Sequence, residues 1–416
     1  MDAGSIVNHT WKVQVFGDAR DRAARRLLLI SEHFQPSTGA TAQLMTDLAR
    51  GLHQRGWRLT VLTATPGGSL DFPVVRLNRA ADTESFAVGV VTKALRGVRF
   101  LVGSLLWSLR HGRRGDVVMI VSNPPFIGLL GPLIQLGRRL PYVFVFQDLF
   151  PRSAVLSGVL PAAGPVAILW RGLMRKVCLR SSRTVVLSQA MEERLRRDLG
   201  RDLPLSVIHN WAVELGQDCQ RHQSAFAAEH GYQGRFTVQY SGNFGRLHDL
   251  LTLLETARLL KQEAVQFVFI GGGAKQSQIE AYQTGFQLKN VLWLPYQPRQ
   301  RLPESLAACD LAAIGLIPGA EDTVAPSKFY GILASGRGVV LIARRSCDLA
   351  QLVLSEGCGI VVEPGEAAEL AERLRALSGA PEEVAAMGER SRTLYERQFG
   401  VDRSIDRYAA ILERLA

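Results

Sequence analysis

Arg235-Phe236-Thr237-Val238-Gln239-Tyr240-Ser241-Gly242-Asn243-Phe244-Gly245-Arg246 carries a run of strand-forming residues into a glycine-containing turn, which opens onto Leu250, Leu251, Leu254 and Leu259. That order predicts a strand at 236–240, a loop, and a helix at 249–260. A strand that runs into a helix is the first half of a β-α-β crossover, the unit of a parallel sheet. The succession recurs in both directions. Downstream, 266–270, 291–294, 311–316 and 339–343 read as strands. Upstream, 27–30, 59–63, 117–121, 142–146 and 184–187 do, with a helix at 42–54. The reading is α/β: two Rossmann-like domains with parallel sheets, at 27–207 and 235–395, facing one another across a cleft. An aperiodic polar stretch makes 208–234 the linker, 1–26 an N-terminal tail and 396–416 a C-terminal helix.

A chain of 416 residues with 47% hydrophobic and 21% charged residues is neither disordered nor fibrous, and each half is long enough to bury a core. Its 49 Lys and Arg against 38 Asp and Glu give a formal charge of +11, unevenly spread. Residues 1–207 hold 28 basic and 14 acidic side chains, and the remainder 21 and 24. A phosphorylated small ligand needs only a few local cations, so the excess in the first half points to an anionic surface. Nucleic acid is disfavoured because aromatics are sparse and no recognition module is present; lipid headgroups fit better.

Residues 85–115 contain Lys93, Arg96, Arg99, Arg110, Arg113 and Arg114 and no acid. On a helical wheel Lys93, Arg96, Arg99 and Arg110 cluster opposite Leu95, Val98, Leu101, Val102, Leu105 and Leu109, with Phe100 and Trp107 near the boundary. Such a helix either lies in a membrane interface or packs its apolar face on a sheet. Residues 117–136 are apolar enough to mimic a membrane span, but Asn123-Pro124-Pro125 divides them into strand, turn and helix. The first 26 residues lack the apolar core of a signal peptide. Five cysteines without a C-x-x-C pair suggest neither disulfides nor a metal site, so the chain reads as cytoplasmic.

Three loops suit phosphate chemistry. In the opening motif Gly242 and Gly245 allow close backbone approach, and Arg246 adds a permanent charge; a tight turn with a solvated arginine is the alternative. Ile270-Gly271-Gly272-Gly273-Ala274 follows the next strand, but a dinucleotide fingerprint needs glycine where Gln276 stands. In Pro326-Ser327-Lys328-Phe329-Tyr330-Gly331-Ile332-Leu333-Ala334-Ser335-Gly336, Ser327 and Lys328 would sit in the first turn of a helix. A lysine there opposes the helix dipole, which an anion would offset; an outward-snorkelling lysine is the alternative. Gly39-Ala40, ahead of the first helix, would let a sugar or phosphate approach the backbone or is a plain turn.

The succession G-N-x-G-R at 242–246, G-G-G at 271–273, Asn290-Val291-Leu292-Trp293-Leu294-Pro295-Tyr296, Ala308-Cys309-Asp310-Leu311 and P-S-K-x-Y-x-x-L-A-x-G at 326–336 resembles the family-4 retaining glycosyltransferases. Val121-Ser122-Asn123-Pro124-Pro125 and Gln147-Asp148-Leu149-Phe150-Pro151 are similar to the branch of colanic-acid and O-antigen, fucosamine-type transferases. The resemblance implies a GT-B fold, a last helix that crosses back to the first domain, and metal-independent transfer from a UDP- or GDP-sugar with no cofactor. Under it, Arg246 and Lys328 neutralise the leaving diphosphate. Gly242, Asn243, Gly245, His248, Gly271, Gly272, Gly273 and Ser327 surround phosphates or ribose, and Tyr296 lines the base pocket. Asp148 is the acidic candidate on the acceptor side, with hydrogen-bonded loop capping as the alternative, and Glu32 would orient a sugar hydroxyl or is simply solvent-exposed.

The chain departs from the family pattern at Thr323 and Gly331, where relatives carry glutamates, and at Arg152, where they often carry an acid. Glu321 and Asp322 are the nearest substitutes for donor binding. The expected activity is sugar transfer to a lipid-linked saccharide for bacterial surface polysaccharide, by an enzyme peripheral to the inner face of the plasma membrane. A nucleotide-sugar epimerase and a degenerate binding scaffold are the alternatives.

Overall fold

The computed structural model describes residues 25–37, 39–77, 90–212 and 225–416. Most of the expected N-terminal tail, much of the expected linker and Cys219 lie outside the described residues. Two compact units form: one ends at Tyr142 and takes back Leu412–Ala416, the other is Val143–Ile411.

The chain begins β1 (Arg26–Ile30), α1 (Ala40–Gln54), β2 (Arg58–Thr63), β3 (Val74–Arg76), α2 (Val90–His111), β4 (Asp116–Val121), α3 (Leu130–Arg138) and β5 (Tyr142–Val145). It continues α4 (Arg152–Leu156), α5 (Pro165–Arg180), β6 (Arg183–Val186), α6 (Gln189–Leu199) and β7 (Leu205–Val207). Next come α7 (Ala225–Glu229), β8 (Phe236–Asn243), α8 (Leu251–Leu259), β9 (Val265–Gly272), α9 (Gln276–Gly285), β10 (Val291–Leu294), α10 (Leu302–Ala307) and β11 (Leu311–Gly315). The last elements are α11 (Lys328–Ala334), β12 (Gly338–Ile342), α12 (Asp348–Ser355), β13 (Gly359–Val362), α13 (Ala367–Ser378), α14 (Pro381–Gln398) and α15 (Val401–Glu413).

One sheet runs β3-β2-β1-β4-β5-β6-β7 and the other β10-β9-β8-β11-β12-β13. Neighbours in the second sheet are parallel throughout. Four of its strands, β10 to β13, are apolar runs, as expected where helices cover both faces of such a sheet, while β8 and β9 also bury Thr237, Gln239 and Gln266. Val238, Tyr240, Phe267 and Phe269 pack on one side, with Leu253 and Leu254 of α8. Val339, Leu341 and Ala312 pack on the other, with Phe329 and Leu333 of α11. In each sheet the strand order reverses beside the first strand, between β1 and β4 and between β8 and β11. Ligands of doubly wound sheets sit at the carboxyl ends of strands at such reversals. The G-N-F-G-R loop leaves β8 there, and the loop leading to Lys328 leaves β11.

The apparent span at 117–136 is β4 followed by α3, broken at a cis Asn123–Pro124 bond. No helix among the described residues is long and apolar enough to cross a membrane. Cys178, Cys309, Cys347 and Cys358 are buried thiols. Arg25 pairs with Glu413 inside the first unit.

The wheel reading of α2 is corrected. Its packed stripe is Gly97, Phe100, Ser104 and Ser108, flanked by the half-buried Leu101, Leu105 and Leu109 of the expected apolar face, while Leu95 and Leu106 are 61% and 63% exposed, with Val98 and Val102 also outward. Small residues win the inner side because they permit close approach. A Cβ on Gly97 would meet Phe126 at 3.0 Å and Pro124 at 3.3 Å, and Leu109 leans on Gly137 of α3. Phe100 is wholly buried and therefore unable to reach a membrane. Trp107 stacks on His111 at 4.6 Å. Arg99, Arg110, Arg113 and Arg114 are exposed, Arg96 is half-buried, and the Lys93 side chain lies outside the described residues.

Gly331 in α11 illustrates the opposite case from Gly97, since a Cβ there would meet nothing within 4 Å. Gly331→Ala should therefore stabilise the chain by up to about 1 kcal/mol through helix propensity, read as a higher urea midpoint at unchanged m. A lower midpoint would show that the open space is needed.

Candidate active site

β8 and β9 pair along their whole length, setting Gly242 opposite Gly271 and Asn243 opposite Gly272. The two loops beyond them interlock. A Cβ on Gly271, at φ +133°, would lie 2.1 Å from the Gly242 carbonyl oxygen, and one on Gly273 would lie 2.5 Å from the Asn243 side chain. Phe244 N–H donates to the Gly272 carbonyl at 2.9 Å and Lys275 N–H to the Phe244 carbonyl at 3.0 Å. Trp293 Nε1 donates to the Gly271 carbonyl, and the Tyr296 hydroxyl to that of Gly272. The triple glycine thus serves first to let one loop backbone lie against the other. Tyr296 remains half exposed, its ring beside Gly272.

Lys328 is where the chemistry concentrates. Its ammonium sits 3.6 Å from the centroid of the Tyr240 ring and 3.7 Å from where a Gly242 Cβ would be. The Nζ atom is buried and has no hydrogen-bond partner among the described residues. Burial pulls its pKa down to about 7, because a desolvated ammonium is destabilised relative to the neutral amine. Phe329, Tyr330 and Leu333 anchor α11 in the core, so the lysine is fixed by its helix. The Tyr240 face offsets part of the cost through cation–π attraction. What remains is a desolvated amine whose Nζ has no hydrogen-bond partner among the described residues.

His248 lies next to it. Its Nδ1 is 2.8 Å from both the Tyr240 hydroxyl and the Asn243 carbonyl, so in either tautomer the ring is tied to the loop. Burial first, and then the Lys328 charge, lower its pKa to about 3; the imidazole is neutral and adds no charge. Arg246 is exposed at the loop's outer edge and Ser327 immediately precedes α11. Lys275, two residues past the glycine triplet, donates to the His248 carbonyl at 2.5 Å. The sequence reading passed over it, although a cation just ahead of a helix is the signal that singled out Lys328.

The acidic candidates have diverse fates. Glu321 is buried and accepts from Gly319 N–H at 2.7 Å and from Arg344 through its backbone, Nε and second guanidinium nitrogen at 3.1 Å each. Asp322 accepts from Arg152 at 3.2 Å and lies 3.7 Å from Arg194. Both carboxylates are engaged in holding their own loop. Arg152 also donates to the Thr323 hydroxyl at 2.8 Å, so two of the departures from the family pattern meet each other. Asp148 bridges to Val324 through the backbone, and burial raises its carboxyl to about 6. In the first unit, burial raises the Glu32 carboxyl while His33 opposes the shift. Gly39 and Ala40 are exposed at the start of α1, where Gly39 provides no side-chain cap.

Residues 41–212 match Glycosyltransferase Family 4, and residues 223–394 match Glycosyl transferases group 1. The chain is a glycosyltransferase. The transferase is 24% identical over 397 residues to the probable glycosyltransferase WbjE of Pseudomonas aeruginosa, covering 94% of this chain and 98% of that one. Its fold is similar to that of sucrose-phosphate synthase from Thermosynechococcus elongatus, with a TM-score of 0.76 at 16% identity over 94% of this chain and 99% of the other. It is similar too to Anabaena HepE in complex with UDP-glucose, with a TM-score of 0.73 at 16% identity over 94% and 100% of the two chains. The transferase therefore has the GT-B fold, with two parallel-sheet Rossmann-like domains.

Proposed function

We propose that the transferase moves a sugar, with retention and without a metal, from a UDP- or GDP-sugar to a lipid-linked saccharide acceptor. In this reading it acts in bacterial surface polysaccharide or exopolysaccharide synthesis, within the colanic-acid and fucosamine-type branch, at the inner face of the plasma membrane. The observation that carries it is the unpartnered, buried Lys328 ammonium at the carboxyl end of β8. As the bond from the anomeric carbon to the diphosphate breaks, negative charge grows on the departing phosphate oxygens. A fixed cation in a desolvated site stabilises that charge without reorganising. Arg246 adds a second charge from the loop, and Tyr296 offers a ring face for the base. The structural kinship with HepE, solved with UDP-glucose, supports a nucleotide-sugar donor. Asp148, with its carboxyl near 6, is the acidic group proposed for the acceptor side.

The first half's surface supports the membrane part. On α2 the outward Leu95, Val98, Val102 and Leu106 share the helix with Arg99 and Arg110, and no acid lies on it. Cations near an anionic leaflet contribute about 1 kcal/mol each.

The test is donor binding with a proton count. Free Lys328 titrates near 7, and a bound diphosphate favours the ammonium and raises that value. At pH 8 binding should therefore take up close to one proton, and below pH 6 none. Calorimetry with UDP- and GDP-sugars in buffers of differing ionisation enthalpy reads the count. Tight donor binding at pH 8 with no proton uptake would remove Lys328 from the diphosphate site.

A further inference from the structure

Residues 149–191 contain six Lys or Arg and no Asp or Glu. Most of this stretch is the segment running from α4 into α5. The inner side of α5 is Ala167, Met174, Val177 and Cys178, with Trp170 stacked on Phe150 at 6.0 Å. Its outer side is unlike that of an ordinary solvated helix. Val166, Ile168 and Leu169 are 56%, 56% and 65% exposed, and Val159 in the preceding loop is 63% exposed. Arg171, Arg175, Lys176 and Arg180 are exposed on the same helix.

We propose that α5 and the loop ahead of it form a second face that inserts into an anionic bilayer. The proposal rests on the membrane reading given for α2 but uses a different helix in the other compact unit. Apolar side chains at the amino-terminal half enter the headgroup boundary while the cations of the following turns meet lipid phosphates, the two classes being separated along the helix rather than around it. Charge selects the occupant. A second copy of the chain docked through this face would bring eight cations together without one carboxylate, whereas an anionic leaflet supplies the missing charge. In water Val166, Ile168 and Leu169 are each more than half exposed.

The experiment is vesicle flotation of the full chain with phosphatidylcholine vesicles, with and without 30 mol% phosphatidylglycerol. Val166→Ser, Ile168→Ser and Leu169→Ser combined should weaken binding at least tenfold at unchanged Tm and unchanged donor affinity. Arg171→Gln with Lys176→Gln should remove part of the dependence on phosphatidylglycerol and on salt. A parallel α2 variant, Leu95→Ser with Leu106→Ser, separates the two faces. Wild-type binding by the α5 triple variant, with weakened binding by the α2 variant, overturns this proposal and leaves the α2 reading standing. Failure of the unmodified chain to float overturns both. A dimer that the α5 triple variant converts to monomer would make the face a self-association surface and overturn the lipid assignment.

Discussion

A Lys328→Met variant is expected to melt no lower than the parent chain, and higher below pH 7, while its turnover falls by about 10²–10³-fold. The two effects have one cause. The ammonium is buried without a hydrogen-bond partner, so in the free protein it costs stability, and methionine fills the same space without a charge. The pH dependence fixes the sign. The folded pKa, about 7, lies below that of an unfolded lysine, so the penalty is fully present below pH 7. It shrinks as pH rises towards the unfolded value, and the advantage of methionine should fade with it. Thermal melts between pH 6 and 10, beside donor-turnover rates, check both. Equal losses of stability and turnover at pH 6 would make Lys328 a structural residue.

Gly271→Ala should destabilise the chain by roughly 2–4 kcal/mol and weaken donor binding together with it. At φ +133° an L side chain is strained, and its Cβ would overlap the Gly242 carbonyl, which belongs to a strand and has little room to retreat. Gly272→Ala is the control. Its Cβ would approach only the Gln276 side chain at 3.2 Å and the Tyr296 ring at 3.6 Å, so a loss below about 1 kcal/mol is expected. Urea unfolding distinguishes them; equal midpoints for the two variants would mean that the loops can separate without cost.

Much of this was legible before any coordinates. Apolar runs bounded by glycine or polar turns located most strands of both sheets within a residue or two, because a parallel strand covered on both faces is largely apolar; β8 runs three residues further than its apolar part, to Asn243. Short or glycine-led strands were missed: β3 has three residues and β13 begins at Gly359. Lys328 could be singled out because its position beside a helix start conflicts with the dipole. The sequence could not show that its ammonium lies on the Tyr240 ring, 88 residues earlier. Glu321 and Asp322 looked available because their partners, Arg344 and Arg152, are remote in sequence. The α2 wheel failed for a different reason: it ranks faces by hydropathy, whereas Gly97, Ser104 and Ser108 compete for the inner face by size.

The interlocked loops also bear on how tolerance to mutation should be interpreted in this fold. In a saturation library, Gly271 and Gly273 would score as invariant as Lys328, yet their constraint is steric and concerns the neighbouring backbone. Because the Gly242 carbonyl occupies the space a Gly271 side chain would need, the two loops are heritable only as a pair. Changes of donor preference are therefore expected to accumulate at side chains bordering them, such as Tyr296, with the glycine framework carried along intact.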